Sequence, residues 1–334
     1  MKKAIVPKRI IISRTDSIGD VVLTLPMCAA IKEKYPDCHL IFLAAAYTVP
    51  VLESAACVDE ILNWTEISNV PTAQKVEALR ECKADVIIHV FPNREVASLA
   101  KKARIEFRIG TSHRPYHLLS CNVPVSFTRK KSDLHESQLN FQLALPIGLT
   151  VPSFDEVSKG KYIAQNLDEI LANGLEKGKS VILHPKSQGS AVEWPLNNFV
   201  DLASRLASAG LKVFVSGTEK EGQTFRDSFN WTERIIDTSG KMSLKELISF
   251  IGKADMLVAC STGPLHLAGA TGIAALGLFS PKRPIHPGRW KPLGEKSNTL
   301  VSREECPCKK EACTCINDIT VDQVFTEIAS TLNA

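Results

Sequence analysis

The chain has 334 residues, 44% apolar and 23% charged, with a net charge of +4. That length points to about two domains, the composition is that of a folded globular protein, and so mild a charge argues against nucleic acid as the partner. No apolar run approaches the roughly 20 residues of a membrane-spanning helix, and the basic start, MKKAIVPKR, leads only into a strand-length apolar run, so no secretory signal is expected.

Along the first half, residues 10–13, 39–44, 60–64 and 85–91 read as strands, with helices over 22–34, 47–56, 71–82 and 94–102. This alternation predicts a parallel sheet with helices on both faces. Pro26 requires the first helix to start late or to kink. The first strand runs into TDSIGD (15–20), a βα turn with a glycine and two carboxylates, Asp16 and Asp20. A helix over 135–145 closes this half. PIGLTVPSFD (146–155), rich in Pro, Gly and small polar residues, reads as a linker. The expected division is a first domain over 1–150, a second over 151–317 and a tail over 318–334.

The second half repeats the pattern, with strands at 181–184, 211–216, 235–237, 256–260 and 274–279 and helices over 196–209, 219–229 and 243–253. GLEKGKS (174–180) falls short of a P-loop: three residues separate its glycines, and it precedes a strand. In the tail, Thr320 and Gln323 have the spacing of a capping box. Val321, Val324, Phe325, Ile328 and Leu332 follow at helical spacing, predicting an amphipathic helix that packs on the second domain or returns to the first.

The strand 256–260 ends in STGPLH (261–266). Ser261, Thr262 and Gly263 place hydroxyls and a pliant backbone at a strand's carboxyl end, and Pro264 suits a first helical position. Free N–H groups and the helix dipole at such a turn favour a bound phosphate, with His266 within reach of the same anion. The alternative is an ordinary capped βα turn. Lys186 and SQGS (187–190) form a second candidate phosphate site. Glu221, or Glu219, follows a strand end and is placed to accept from ribose hydroxyls.

SRTDSIGDVVLTLP (13–26), GKMSLKEL (240–247), STGPLHLA (261–268) and the stretch from Pro185 to Trp194 and Pro195 resemble, in order and spacing, signatures of the ADP-heptose:lipopolysaccharide heptosyltransferase family. The resemblance implies an α/β protein of GT-B architecture, with two doubly wound Rossmann-like domains facing a central cleft. The N-terminal domain would receive the acceptor and the C-terminal domain the nucleotide sugar. The implied reaction is inverting transfer of a sugar, heptose first among candidates, from ADP-heptose or another ADP-sugar to the inner core of lipopolysaccharide or its lipid A precursor. No cofactor is implied, and the enzyme would work in the cytoplasm, peripheral to the inner membrane. Asp20 maps onto the family's catalytic base, with Asp16 as competitor. Thr262, Gly263 and His266 would donate to the pyrophosphate and Met242 would lie against the base; Lys186, Ser187, Glu221 and Ser261 complete the donor-binding set. The chain has no Asp-x-Asp motif, which favours a leaving group held without a metal. Two departures stand out. Val192 and Glu193 occupy the place of the donor-binding lysine before Trp194. Ser261 replaces an aspartate, which weakens heptose specificity more than transfer chemistry.

Basic groups gather at Lys101, Lys102, Arg104 and Arg108 and at Arg129, Lys130 and Lys131. They read either as solvated surface or as attraction to an acidic acceptor or an anionic membrane; Arg14 joins Lys101, Lys102, Arg104, Arg129 and Lys130 as an acceptor candidate. Six of the ten cysteines sit in apolar or helical contexts, as free thiols would in a reducing compartment. Cys306, Cys308, Cys313 and Cys315 form C-x-C-x4-C-x-C, tighter than the usual zinc pairs, and a structural metal site, disulfide pairing and an unliganded loop all stay open. Against a heptosyltransferase stand another glycosyltransferase of the same family, a nucleotide-sugar epimerase of the same architecture and a non-catalytic sugar-nucleotide binder.

Overall fold

Strand β1 (Arg9–Ser13) carries Ile10, Ile11 and Ile12, none of them exposed. A strand apolar on both faces belongs in the middle of a parallel sheet covered by helices on each side. In this computed structural model β1 is indeed central. It pairs in parallel with β2 (His39–Ala44) and β4 (Val86–His89). With β3 (Glu60–Asn63), β5 (Phe107–Thr111) and β6 (Val123–Val125) they make a six-stranded sheet of order β3-β2-β1-β4-β5-β6. The second half contains β7 (Ser180–His184), β8 (Lys212–Val215), β9 (Ile235–Asp237), β10 (Met256–Cys260), β11 (Ala274–Phe279) and β12 (Ser297–Val301). Their order, β12-β11-β10-β7-β8-β9, is the same doubly wound topology read from the other edge. The structure describes residues 4–129, 132–164, 175, 177–308 and 313–333. The chain divides into two compact units, Met1–Val157 and Ser158–Ala334.

In each sheet the strand order reverses beside the first strand, between β1 and β4 and between β7 and β10. Ligands of such sheets bind outside the carboxyl ends of the strands at that point. Ser13 is the register partner of His89 at the first switch, and Ala259 that of His184 at the second.

The strands expected from the sequence are present, and three others join them. β6 (VPV) and β12 (SNTLV) are edge strands, and an edge tolerates Pro124 and the polar residues of β12. β5 lies beside β6 and opens on half-buried Phe107 and Arg108. Pro26 acts as anticipated: a short helix, Ile18–Val22, ends, and a second, Leu25–Lys34, starts with the proline in its first turn. The last helix, Val321–Leu332, begins with the Thr320–Gln323 capping box. Its Val324 and Ile328 are fully buried in the second unit's core with Phe199, Leu202 and Leu206 of the helix Leu196–Ser208. The apolar stripe left open to either domain is therefore buried on the second unit. The P-loop-like segment falls partly outside the described residues, and its end, Ser180, opens β7.

Candidate functional site

At the first switch point the chain leaves β1 through Arg14, whose side chain is only 4% exposed. A guanidinium so buried must be compensated, and it is. Nε donates to Asp16 Oδ1 at 2.9 Å, Nη1 to Glu136 Oε1 at 3.2 Å and to Asn140 Oδ1 at 3.1 Å, and Nη2 pairs with Asp20. Arg129 donates to the same Glu136 Oε1 at 3.0 Å and Asn140 Oδ1 at 3.0 Å. Arg14 and Arg129, expected to reach the acceptor, are thus engaged inside this network, where they position carboxylates. Asp20 lies in the first turn of the helix Ile18–Val22 and also accepts from Ser17 Oγ at 2.5 Å. A carboxylate has about four acceptor sites, so two bonds leave room for a substrate hydroxyl; the Asp20 side chain keeps 16% exposure. Burial raises the Asp16 carboxyl above its ordinary range although Arg14 opposes it.

Beside this network lies a buried polar group that sequence reasoning missed. Ser13 Oγ and both ring nitrogens of His89 are buried without a hydrogen-bond partner, as is Nε2 of His117. The imidazoles stand 5.5 Å apart. Burial, then His117 and Arg108, pushes His89 down to about 3. The only sequence signal was a histidine closing an apolar strand, which reads equally as core.

At the second switch point, β10 ends and the helix Gly263–Thr271 starts, with Thr262 at its N-cap and Pro264 in its first turn. Thr262 makes no capping bond, and its Oγ1 is buried without a partner. Ser261 and His266 are buried as well, and the His266 ring meets Trp290 edge-on at 6.3 Å; Trp290 had not been singled out. Ser190 Oγ donates to Ser261 O at 3.4 Å, joining the Lys186–Ser190 loop to this turn. In that loop Lys186 Nζ lies 3.1 Å from Glu193 Oε2, and Ser187 donates to Glu193 Oε1 from its amide at 2.8 Å and its hydroxyl at 2.9 Å. Burial alone would raise the Glu193 carboxyl, but these bonds from Ser187 and Lys186 outweigh it and hold it low. So Lys186, a candidate for the phosphate, is paired here with the acid that stands in the lysine's place.

Glu221 is largely buried and closes a capping box, its Oε2 accepting from the Thr218 amide at 2.7 Å and hydroxyl at 2.9 Å. Met242 is half-buried in the turn before the helix Leu244–Lys253 and is not a core residue. His184, at the end of β7, bonds Ser216 Oγ at 2.9 Å; it too was missed. Burial lowers its imidazole, with Glu221 and Glu193 opposing.

Among the basic groups, Lys101, Lys102 and Arg104 are exposed, and Lys101 Nζ donates to Leu119 O at 2.7 Å. Arg108 is half-buried, with Nε donating to Ser120 O. Lys130 and Lys131 lie outside the described residues. The four C-terminal cysteines come together, every sulfur within 4.8 Å of the others.

These two switch points can be set beside known proteins. Residues 73–317 match glycosyltransferase family 9 (heptosyltransferase), and the chain belongs to that family. It is 25% identical, over 96% of both chains, to a Haemophilus influenzae protein whose name assigns it to the glycosyltransferases and no further. It is 22% identical, over 85% of both, to lipopolysaccharide heptosyltransferase 3 of Escherichia coli. The structure of E. coli ADP-heptose lps heptosyltransferase II superposes with a TM-score of 0.77 at 19% identity, covering 98% of each chain. The fold is accordingly GT-B, and the protein is a glycosyltransferase.

Proposed function

We propose that the protein transfers a sugar, heptose in the first instance, with inversion from an ADP-linked donor to the inner core of lipopolysaccharide, without a catalytic metal. The observation that carries the donor half is the helix start at Thr262: an uncapped N-terminus whose buried hydroxyl has no partner. Such a start binds a diphosphate through backbone N–H groups and the helix dipole. The names of the relatives, a lipopolysaccharide heptosyltransferase and an ADP-heptose transferase, support the substrates. Thr262, Gly263 and His266 hold the leaving diphosphate and Ser261 the sugar. Met242 lies against the base and Glu221 faces the ribose. Lys186 and Ser187 turn to the phosphates once Glu193 releases them.

Asp20 is the base. Arg14 holds it in place through their ion pair, and its unfilled lone pairs take the proton of the attacking hydroxyl. Asp20→Ala is expected to lower the transfer rate by about 10²–10⁴-fold with ADP affinity unchanged. Near-normal turnover in Asp20→Ala, with loss in Asp16→Ala, moves the role to Asp16. Turnover should persist in excess EDTA; loss restored by magnesium or manganese overturns the metal-free scheme. Binding of UDP or GDP but not ADP, read by thermal shift, overturns the donor.

The acceptor is anionic and lipid-borne, so the protein works in the cytoplasm at the inner membrane face. Leu118 and Leu119, 60% and 76% exposed on the helix Pro115–Ser120, support this. Lys101 Nζ donates to Leu119 O, and an apolar tip beside a cation suits an anionic bilayer surface.

A further inference from the structure

The segment between β12 and the last helix contains four thiols that the transfer reaction does not use. Cys306 Sγ lies 3.5 Å from Cys313 Sγ and 3.8 Å from Cys315 Sγ, and Cys308 Sγ lies 3.8 Å from Cys315 Sγ. All four sulfurs fall within 4.8 Å of one another, and all four are free thiols. A tetrahedral ion with metal–sulfur bonds of about 2.3 Å sets its sulfurs about 3.8 Å apart. Three of the sulfur pairs have about that spacing, and every pair lies within 4.8 Å. Two disulfides would instead need two sulfur pairs drawn in to about 2 Å each.

The surroundings suit an ion as well. Cys313 and Cys315 are buried, while Cys306 and Cys308 are half-buried, so an ion would sit at the edge of the second unit, shielded on its inner side. Ser280, immediately after β11, places Oγ 2.9 Å from Cys313 Sγ, where a hydroxyl donor steadies a metal-bound thiolate. Arg303 lies within electrostatic range of Cys315 and Cys308, a positive charge against the net negative charge of a tetrathiolate complex.

We propose that Cys306, Cys308, Cys313 and Cys315 hold one tetrahedral metal ion of the class that takes four thiolates, zinc or iron, as a structural clasp. Each thiol gives up its proton to solvent as the ion binds. The clasp holds the connection between β12 and the last helix. Ser302 Oγ donates to Cys315 O at 2.6 Å, Trp194 Nε1 donates to Ile319 O at 2.8 Å, and Ile316 and Ile319 enter the core. An ion at the four sulfurs would close the connection from the end of β12 to the start of the last helix. This role is separate from sugar transfer and does not depend on the donor or the acceptor.

The full-length protein, purified under thiol reductant, should carry one equivalent of zinc or iron by elemental analysis. Visible sulfur-to-iron charge-transfer bands identify iron, and their absence identifies zinc. Reduced metal-free protein should take up one equivalent of zinc, and cobalt(II) should give the intense visible bands of a tetrahedral thiolate site. The double variant Cys306→Ser/Cys308→Ser should lose the metal and melt at a lower temperature, while Cys57→Ser keeps it. Metal-free wild-type protein that takes up neither zinc nor ferrous iron overturns the proposal. So do disulfides among the four cysteines in thiol-trapped cells, or undiminished metal in the double variant. If the variant does not fold, metal content and uptake of the wild-type protein decide alone.

Discussion

Arg14 shows how one side chain can organise a site. Its guanidinium ties the turn after β1 to Glu136 and Asn140, 122 and 126 residues away, and orients Asp20 on the way. Removing one partner of so buried a set leaves charge uncompensated, so the position reads as support for the proposed base. His89 is the opposite case, a buried polar ring with nothing to bond. It titrates at about 3 in the fold against an ordinary value of 6.5. Between those values the unfolded chain binds more protons than the folded one, so His89 makes stability fall as pH drops. Above the ordinary value this acid penalty is absent. His89→Leu should therefore flatten the decline of the urea midpoint between about pH 6.5 and pH 4. An unchanged slope would mean that His89 is protonated or partnered in solution.

Among the elements, the helix Gly263–Thr271 is held at close quarters. Its N-terminus carries the proposed diphosphate site, and its body lies so close to Leu293 that a Cβ on Gly269 would stand 2.0 Å from Leu293 O. That neighbour is backbone and cannot swing aside. Gly269→Ala should strongly destabilise the protein, read as a large drop in melting temperature or as loss of soluble protein, although alanine is the better helix former. A melting temperature within a degree or two of wild type would show that the helix can shift away from Leu293. The Trp194 segment is fixed more gently, its amide donating to Cys260 Sγ at 3.2 Å and its indole to Ile319 O. The sequence marked Trp194 only as part of a motif; these bonds show it joining the end of β10 to the C-terminal segment.

For the molecule as a whole, each unit has one sheet, one switch point and one half of the proposed chemistry. Among the described residues no helix is long and apolar enough to cross a membrane. Lys101, Lys102, Leu118 and Leu119 form the surface proposed to meet a membrane. Each cation near an anionic bilayer contributes about 1 kcal/mol, screened by salt. Co-sedimentation with anionic vesicles should weaken as salt rises, and Lys101→Glu/Lys102→Glu should weaken it at low salt. The same double variant should raise the acceptor KM and leave ADP affinity alone. Equal binding to neutral and anionic vesicles would reduce the patch to solvated surface.

Local pattern was enough to locate most strands, the break before Pro26, the Thr320 capping box and the two βα turns after β1 and β10, because periodicity, proline and capping spacing act within a few residues. The motifs at 13–26 and 261–268 were also enough to indicate the family. Edge strands β6 and β12 escaped because half their surface meets water and carries no apolar run. The sequence could not reveal that Arg14 serves Asp20, that Glu193 occupies Lys186, that Ser13 and His89 share a register, or that four thiols converge. Those are distances between groups brought together by strand order and loop closure, and only the tertiary fold decides them, because residues far apart in the sequence become neighbours only where the chain returns, and a buried charge such as Arg14 has to be compensated there.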